Sequence, residues 1–167
     1  QRRMGLLSIS DIDAYLARAR EDPRELRALW NDILIGVTSF FRDPQAFDEL
    51  ATHVLDPLVC DNQRSGPVRV WVPGCASGEE AYSIAMLLLE AFARRDGAPE
   101  LQIFATDISE AALQSARDGV YPKSIAADVS PARLQRFFVE LDETHYRVTE
   151  QLREAIVFAP HNLITDV

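Results

Sequence analysis

Val70-Trp71-Val72-Pro73-Gly74-Cys75-Ala76-Ser77-Gly78-Glu79-Glu80-Ala81-Tyr82-Ser83-Ile84-Ala85 is the stretch that decides the fold class. Starting at Val68, the β-branched and aromatic run to Val72 predicts a strand that ends in the turn Pro73-Gly74. Beyond the loop the period changes. Ala81, Ile84, Ala85, Leu88, Leu89 and Phe92 recur at helical spacing, with Ser77 placed to N-cap the helix and Glu80 three residues on as its capping-box partner. The reading is strand, glycine loop, helix.

Working outward, the same unit repeats downstream. A Gly/Pro break at 97–99 precedes Leu101 to Thr106, a short buried-type strand that stops at Asp107. Ser109 then caps a helix through Ala112, Leu113 and Ala116 that ends at Gly119. Ser130-Pro131 starts a short helix through Leu134 and Phe137, Tyr146-Arg147-Val148 has the look of a hairpin strand, and Glu154 to Ala159 makes a third core strand before Pro160-His161-Asn162. Strands alternating with helices predict an α/β fold with a parallel sheet of right-handed βαβ units, whose ligands bind beyond the carboxyl ends of the strands.

Upstream, everything is helical until a polar loop at 62–67. Ile12, Tyr15, Leu16 and Ala19 form a stripe behind Ser10 as N-cap. Asp22-Pro23-Arg24-Glu25 launches a second helix with Leu26, Leu29, Trp30, Ile33 and Leu34 as its core face. Asp43-Pro44 starts a third, carrying Phe47, Leu50, Ala51, Val54 and Leu55, which should falter near Pro57.

Composition narrows the function classes. The chain has 167 residues, 47% hydrophobic, with a net charge of −9 and two cysteines. That is an ordinary globular composition, not a disordered or disulfide-stapled one. Cys60 and Cys75 stand alone and His53, His145 and His161 are scattered, so no metal site is indicated. The longest apolar run, Ile84 to Leu89, is far short of the ~20 residues that span a bilayer, and no secretory signal opens the chain, so membrane insertion and export are not implied and a cytoplasmic location is expected. Residues 1–30 carry +1 and the remainder −10. An acidic body disfavours nucleic acid, whose affinity comes from phosphate neutralisation.

Three places could carry chemistry. The loop Pro73 to Glu80 offers glycines for close backbone approach and a helix N-terminus, but its two carboxylates repel phosphate and suit a cationic or hydroxyl-bearing ligand. It lacks the dinucleotide fingerprint GxGxxG and the Lys of a P-loop, and Ser77 is not in a hydrolase elbow. Alternatively, its glycines only make the turn and its acids only favour the helix dipole. Asp107, at the end of a strand, is placed to accept both hydroxyl hydrogens of a ribose; alternatively, it only makes an Asx turn before Ser109. Arg42, in Thr38-Ser39-Phe40-Phe41-Arg42-Asp43, sits where the helical part gives way to the α/β part, a place where pockets form. Cys75 is read as a small loop residue, since no basic partner for a nucleophile is evident nearby.

Taken together, Thr38 to Asp43, Val70 to Ala85, Ala105-Thr106-Asp107-Ile108 and Phe158-Ala159-Pro160-His161-Asn162-Leu163 closely resemble the CheR family, the S-adenosylmethionine-dependent methyltransferases that esterify glutamates of bacterial chemoreceptors. The wording is most similar to the branch fused to CheB-like methylesterase and sensory modules. The resemblance implies a helical N-terminal domain over residues 1–35 and, over 36–167, the first half of a doubly wound, Rossmann-like methyltransferase domain with a small β-subdomain inserted about 121–150. It implies cofactor contacts at Thr38, Arg42, Gly74, Glu79, Asp107, Asn162 and Leu163, with Arg42 also at the reacting centre, and the cytoplasmic helical region of chemoreceptors as partner. The cofactor's ammonium and sulfonium agree with an acid-rich, phosphate-averse loop.

The sequence also departs from the family. Members that dock on a receptor's C-terminal peptide have a Gly-rich loop where Val139 to His145 has none, so peptide tethering is not expected. The family also continues into strands with an Arg-Asn motif and a nearby Tyr, so the chain is expected to be a slice, inactive alone and open along the Val68–Val72 edge. Two other readings belong to different classes. One is a regulatory module that binds S-adenosylmethionine or S-adenosylhomocysteine without turnover. The other, a nicotinamide oxidoreductase, shares the ribose acid but leaves Thr38 to Asp43 unexplained.

Overall fold

The computed structural model describes residues 2–33, 38–60, 66–93 and 99–166. Leu34, most of the loop at 62–67 and most of the break at 97–99 lie outside these residues. The chain divides into two compact units, Gln1–Ile35 and Gly36–Val167.

The first unit is helical: α1 (Arg2–Leu6), α2 (Ile12–Glu21) and α3 (Pro23–Ile33). Asp11, not Ser10, caps α2; its Oδ2 accepts the Ala14 N–H at 2.9 Å, the reach a carboxylate has one residue closer to the helix. Asp22 holds the Arg24 N–H at the start of α3 as expected. The apolar stripe of α3 does not form the expected core face, since Leu26 and Trp30 are each 53% exposed. Helices this few and short supply no further layer inside their own unit to cover it.

The buried position on α3 is instead Glu25, 5% exposed. Its carboxylate accepts from the Arg3 guanidinium Nε at 3.0 Å, from a second Arg3 nitrogen, and from the Tyr15 hydroxyl at 2.9 Å. A charge so fully hydrogen-bonded is tolerated where a lone one is not. The Arg3 bonds hold the Glu25 carboxyl below its ordinary value of 4.5, and burial pushes the Tyr15 phenol up. A depressed carboxyl contributes stability that is present above the unfolded value and lost as pH falls through the folded one. Glu25→Gln therefore lowers the melting temperature of the helical unit at neutral pH and flattens its decline below about pH 4.5; circular dichroism melts across that range check both.

The second unit opens with α4 (Pro44–Leu50), capped by Asp43, whose carboxylate accepts the Ala46 N–H at 3.4 Å. The helix falters just before Pro57, as expected, without ending there. It widens into a π turn at Ala51–Leu55, where the Asp56 N–H reaches back to the Ala51 carbonyl, and resumes as α5 (Asp56–Cys60). The wider turn accommodates a proline that a regular α-helix would not.

β1 (Val68–Pro73), α6 (Glu79–Phe92), β2 (Leu101–Asp107) and α7 (Glu110–Asp118) follow as the sequence predicts. The third strand, β6, is Ile156–Pro160; Glu154 belongs to a short helix, α9 (Glu150–Glu154), which buries Leu152 completely. The three strands are parallel in the order β1–β2–β6, with Val72 opposite Ala105 and Ala105 opposite Phe158. α6 is more buried than its stripe suggests: Tyr82, Ser83 and Met86 are 0% exposed, while Ile84 and Leu89 are only half-buried.

Alternation along the strands sends Val68, Val72, Ile103 and Ala105 to the core. It sends Trp71, Phe104 and Val157, which stand in register, to the other face, where they are 55%, 41% and 53% exposed. Among the described residues β1 has β2 as its only strand partner.

Between α7 and α9 lies a second, antiparallel sheet in the order β3–β5–β4, from β3 (Val120–Pro122), β4 (Phe138–Glu140) and β5 (His145–Val148), with α8 (Pro131–Phe137) leading into β4. The turn joining β4 to β5, which has no glycine, is closed by Asp142. Its carboxylate accepts the Thr144 hydroxyl and the Thr144 and His145 N–H groups at 2.7–2.8 Å, bonds that hold it well below the usual carboxylate range. Phe137, Val148 and Leu152 tie this region into the core shared with α6. Among the described residues no helix is long and apolar enough to cross a membrane.

Candidate functional site

The loops that follow the three parallel strands meet at one end of the sheet because backbone bonds lace them together. The Cys75 N–H donates to the Thr106 carbonyl at 3.0 Å, and the His161 N–H to the Asp107 carbonyl at 3.1 Å. This brings Gly74, Asp107 and Asn162 to the carboxyl ends of β1, β2 and β6, the place where an open α/β sheet binds its ligands.

Asp107 organises that end. One carboxylate oxygen accepts the Ala76 N–H at 2.9 Å across the loops, and the other the Ser109 N–H at 2.8 Å. The Asx turn and the ligand-facing carboxylate are thus compatible readings, since a carboxylate has about four acceptor sites and the side chain stays half-buried. Gly74 turns the chain off β1 with a φ of +69°, and a Cβ there would meet nothing within 4 Å. The backbone at this point faces open space.

The expected cap of α6 is not formed. Gly78, at φ +95°, occupies the N-cap position, which displaces Ser77 by one residue and turns its hydroxyl away from the first amides. The Ser77 hydroxyl donates instead to the Glu79 carboxylate, 3.0 and 2.7 Å from its two oxygens. Glu79 begins the helix and stands half-buried beside the loop, while Glu80 points elsewhere, into a groove described below. Gly78 packs on α7, where a Cβ would lie 2.9 Å from Ala116 Cβ. Cys75 is 1% exposed, and burial followed by the Asp107 charge pushes its thiol up to about 12, which leaves no thiolate for nucleophilic chemistry near neutral pH.

The turn Thr38 to Arg42 is pinned to α6 by a residue that sequence reasoning missed. Ser83, fully buried, donates to the Glu79 carbonyl at 2.7 Å and accepts the Phe41 N–H at 3.1 Å. A polar residue inside an apolar helical stripe was the available signal, because it needs a partner when buried. Phe40 and Phe41 are core residues, as the composition of the turn suggests. Thr38 is half-buried and Arg42 exposed. Arg42 borders a groove of about 520 Å³ with Phe47, Glu80 and Ile84; Asp107 and Asn162 do not line it. Beyond β6, Asn162 heads a turn, its side-chain oxygen accepting the Ile164 N–H at 2.9 Å and its own N–H donating to Asp166. Leu163 is 60% exposed. The fold therefore collects Gly74, Glu79, Asp107 and Asn162 at one end of the sheet, whereas Arg42 borders a separate groove with Glu80 and Ile84 of α6.

Comparison with known proteins gives the family. Residues 36–167 match the family model described as CheR methyltransferase, SAM binding domain. The chemotaxis protein methyltransferase of Escherichia coli K12 is 33% identical over 168 residues, covering 98% of this chain and 56% of that protein. That of Listeria monocytogenes is 37% identical over 134 residues, 80% of this chain and 48% of its own. A Rhodobacter capsulatus protein described as an uncharacterized 104.1 kDa protein is 45% identical over 166 residues, 99% of this chain and 17% of that protein. The chain spans about half the length of the methyltransferases it matches. It belongs to the CheR methyltransferase family, the match to that family's S-adenosylmethionine-binding domain running over residues 36–167.

Proposed function

We propose that the protein carrying this chain transfers the methyl group of S-adenosylmethionine to glutamate side chains in the cytoplasmic helical region of bacterial chemoreceptors or related signalling proteins. The observation that carries the reading is the convergence of Gly74, Glu79 and Asp107 where β1 and β2 end, in a chain of this family. These residues fit the cofactor. Open space at Gly74 admits a ligand against the backbone, Asp107 keeps acceptor sites for a ribose, and Glu79 offers a negative charge to a cationic methionine end. Asn162 and Leu163 would flank the adenosine, and Thr38 and Arg42 would serve the reacting end.

When bound, S-adenosylmethionine supplies a methyl group activated by its sulfonium. The acceptor carboxylate is already ionised near neutral pH, so the protein needs no general base and acts by positioning and electrostatics. Arg42, exposed on a turn fixed by the Phe41–Ser83 bond, orients the incoming carboxylate or the cofactor. Arg42→Ala in the full-length protein is expected to lower the methylation rate by roughly tenfold to a hundredfold. Unchanged rate and cofactor affinity would remove that role.

Residues 1–35 act as a helical N-terminal domain, 36–167 as the first half of a doubly wound methyltransferase domain, and the sheet of β3, β4 and β5 as its inserted subdomain. The exposed row Trp71–Phe104–Val157 supports this, because a parallel sheet is normally covered on both faces. The size of the Rhodobacter capsulatus relative, of which this chain covers 17%, supports a fusion with further modules, which we read as signalling ones; a cytoplasmic location goes with the proposed substrate. The test is full-length protein incubated with methyl-labelled S-adenosylmethionine and receptor cytoplasmic fragments. Base-labile label on glutamates is the expected result, and label that fails to transfer to any receptor fragment speaks against the proposal.

A further inference from the structure

The antiparallel sheet holds more than itself. Tyr121, on β3, is 4% exposed, and its hydroxyl donates to the Ser77 carbonyl at 2.6 Å, a contact across 44 residues into the glycine loop. The same hydroxyl lies 3.2 Å from where a Cβ on Gly78 would be. The Tyr121 ring stands edge-on to Phe40 at 4.9 Å and to Tyr82 at 6.1 Å between centroids. Phe138, on β4, meets Phe40 from another side at 5.5 Å. From α8, Arg133 lies over the Phe41 ring at 4.4 Å while gripping the Glu90 carboxylate with two 2.9 Å bonds. Both segments that frame the candidate site, the turn at 40–41 and the loop at 77–78, are thus held from β3, β4 and α8.

We infer that Tyr121 is a positioning residue for the glycine loop: by fixing the Ser77 peptide it fixes the Ser77 hydroxyl, and through it the direction in which the Glu79 carboxylate meets the methionine end of the cofactor. The inference rests on the cofactor reading above and adds a residue to it. The relay has two bonds, Tyr121 to the Ser77 carbonyl and the Ser77 hydroxyl to Glu79. Nothing else in the loop restrains the Ser77 carbonyl among the described hydrogen bonds. A loosened Ser77 lets the carboxylate sample other rotamers, which weakens a ligand that needs its charge in one place.

The relay predicts a selective loss. Adenosine has the ribose and the base but no methionine end, so it reports on Asp107 and the adenosine pocket alone, whereas S-adenosylhomocysteine reports on Glu79 as well. In calorimetric titrations of the full-length protein, Tyr121→Phe and Ser77→Ala are each expected to weaken S-adenosylhomocysteine by roughly five- to tenfold while leaving adenosine within about twofold. Tyr82→Phe is the control. It also deletes one buried tyrosine hydroxyl bond, to the Ala116 carbonyl at 2.8 Å, but lies outside the relay, so it should leave the ratio of the two affinities unchanged.

Equal weakening of both ligands in Tyr121→Phe, or no change in the ratio, would overturn the inference and leave the cofactor reading standing. Should Tyr121→Phe not fold, Ser77→Ala decides the matter by the same ratio. A parent protein that binds neither ligand would remove the cofactor reading and this inference with it.

Discussion

Asp107→Ala should bind S-adenosylhomocysteine at least about a hundredfold more weakly than the parent and should also be less stable, by roughly 2–4 kcal/mol. The two effects have separate physical sources in one side chain. The carboxylate caps two backbone N–H groups, those of Ala76 and Ser109, and its loss leaves both without their charged acceptor. The lost affinity comes from the remaining acceptor sites, which would take the ribose hydroxyls. Asp107→Asn distinguishes them. It keeps one acceptor oxygen but turns an amide nitrogen toward a backbone donor, so it should lose stability by an intermediate amount. Its ligand affinity should fall almost as far as in the alanine variant. Denaturant titration gives the first quantity and calorimetry the second.

Gly78→Ala is expected to cost about 2–4 kcal/mol, with a melting temperature lower by roughly 5–15 °C. Two penalties add. A φ of +95° is open to glycine and strained for any other residue, and the new methyl would sit 2.9 Å from Ala116 Cβ and 3.3 Å from its Cα. Ala116 has no longer side chain to move aside, since the obstacle is the body of α7 itself. The third contact, at 3.2 Å, is the Tyr121 hydroxyl, so the variant should also disturb the bond to Ser77. Gly74→Ala is the useful comparison. It bears the strain of a φ of +69° without a neighbour within 4 Å, and should lose about 1 kcal/mol while obstructing the ligand.

What was legible in the sequence was local. Asp43, Asp22, Ser109 and Ser130 announce their helices because a cap is made by residues two or three apart, and each accepts the bond expected of it. The strands ending at Pro73 and Asp107 were equally plain, and the placement of ligand residues beyond them follows from the parallel topology alone. Ser77 shows where local reasoning fails. Its capping motif is intact in letters, but the left-handed Gly78 takes the cap position and sends the hydroxyl to Glu79. Leu26 and Trp30 fail for another reason: periodicity finds an apolar face without saying that anything covers it.

Long-range contacts were out of reach. Ser83 bonding Phe41 and Tyr121 bonding Ser77 are separated by 42 and 44 residues, and neither spacing carries a pattern. Yet these two bonds hold the frame of the site, one on each side of Glu79. Arg42 was read as lying between the helical part and the α/β part, whereas it stands inside the second unit, in a groove with Glu80 and Ile84 that is a product of how α4 and α6 pack.

On the proposed reading the carboxyl ends of β1 and β2 form a site for a nucleoside whose amino-acid tail carries an ammonium group, and not for a dinucleotide. Parallel calorimetric titrations of the full-length protein with S-adenosylhomocysteine and with NAD test it most directly. The expected result is saturable one-to-one binding of S-adenosylhomocysteine, weakened at least about a hundredfold in Asp107→Ala, and no heat from NAD. Binding of NAD at the same site, or S-adenosylhomocysteine binding undiminished by the loss of Asp107, would overturn the reading.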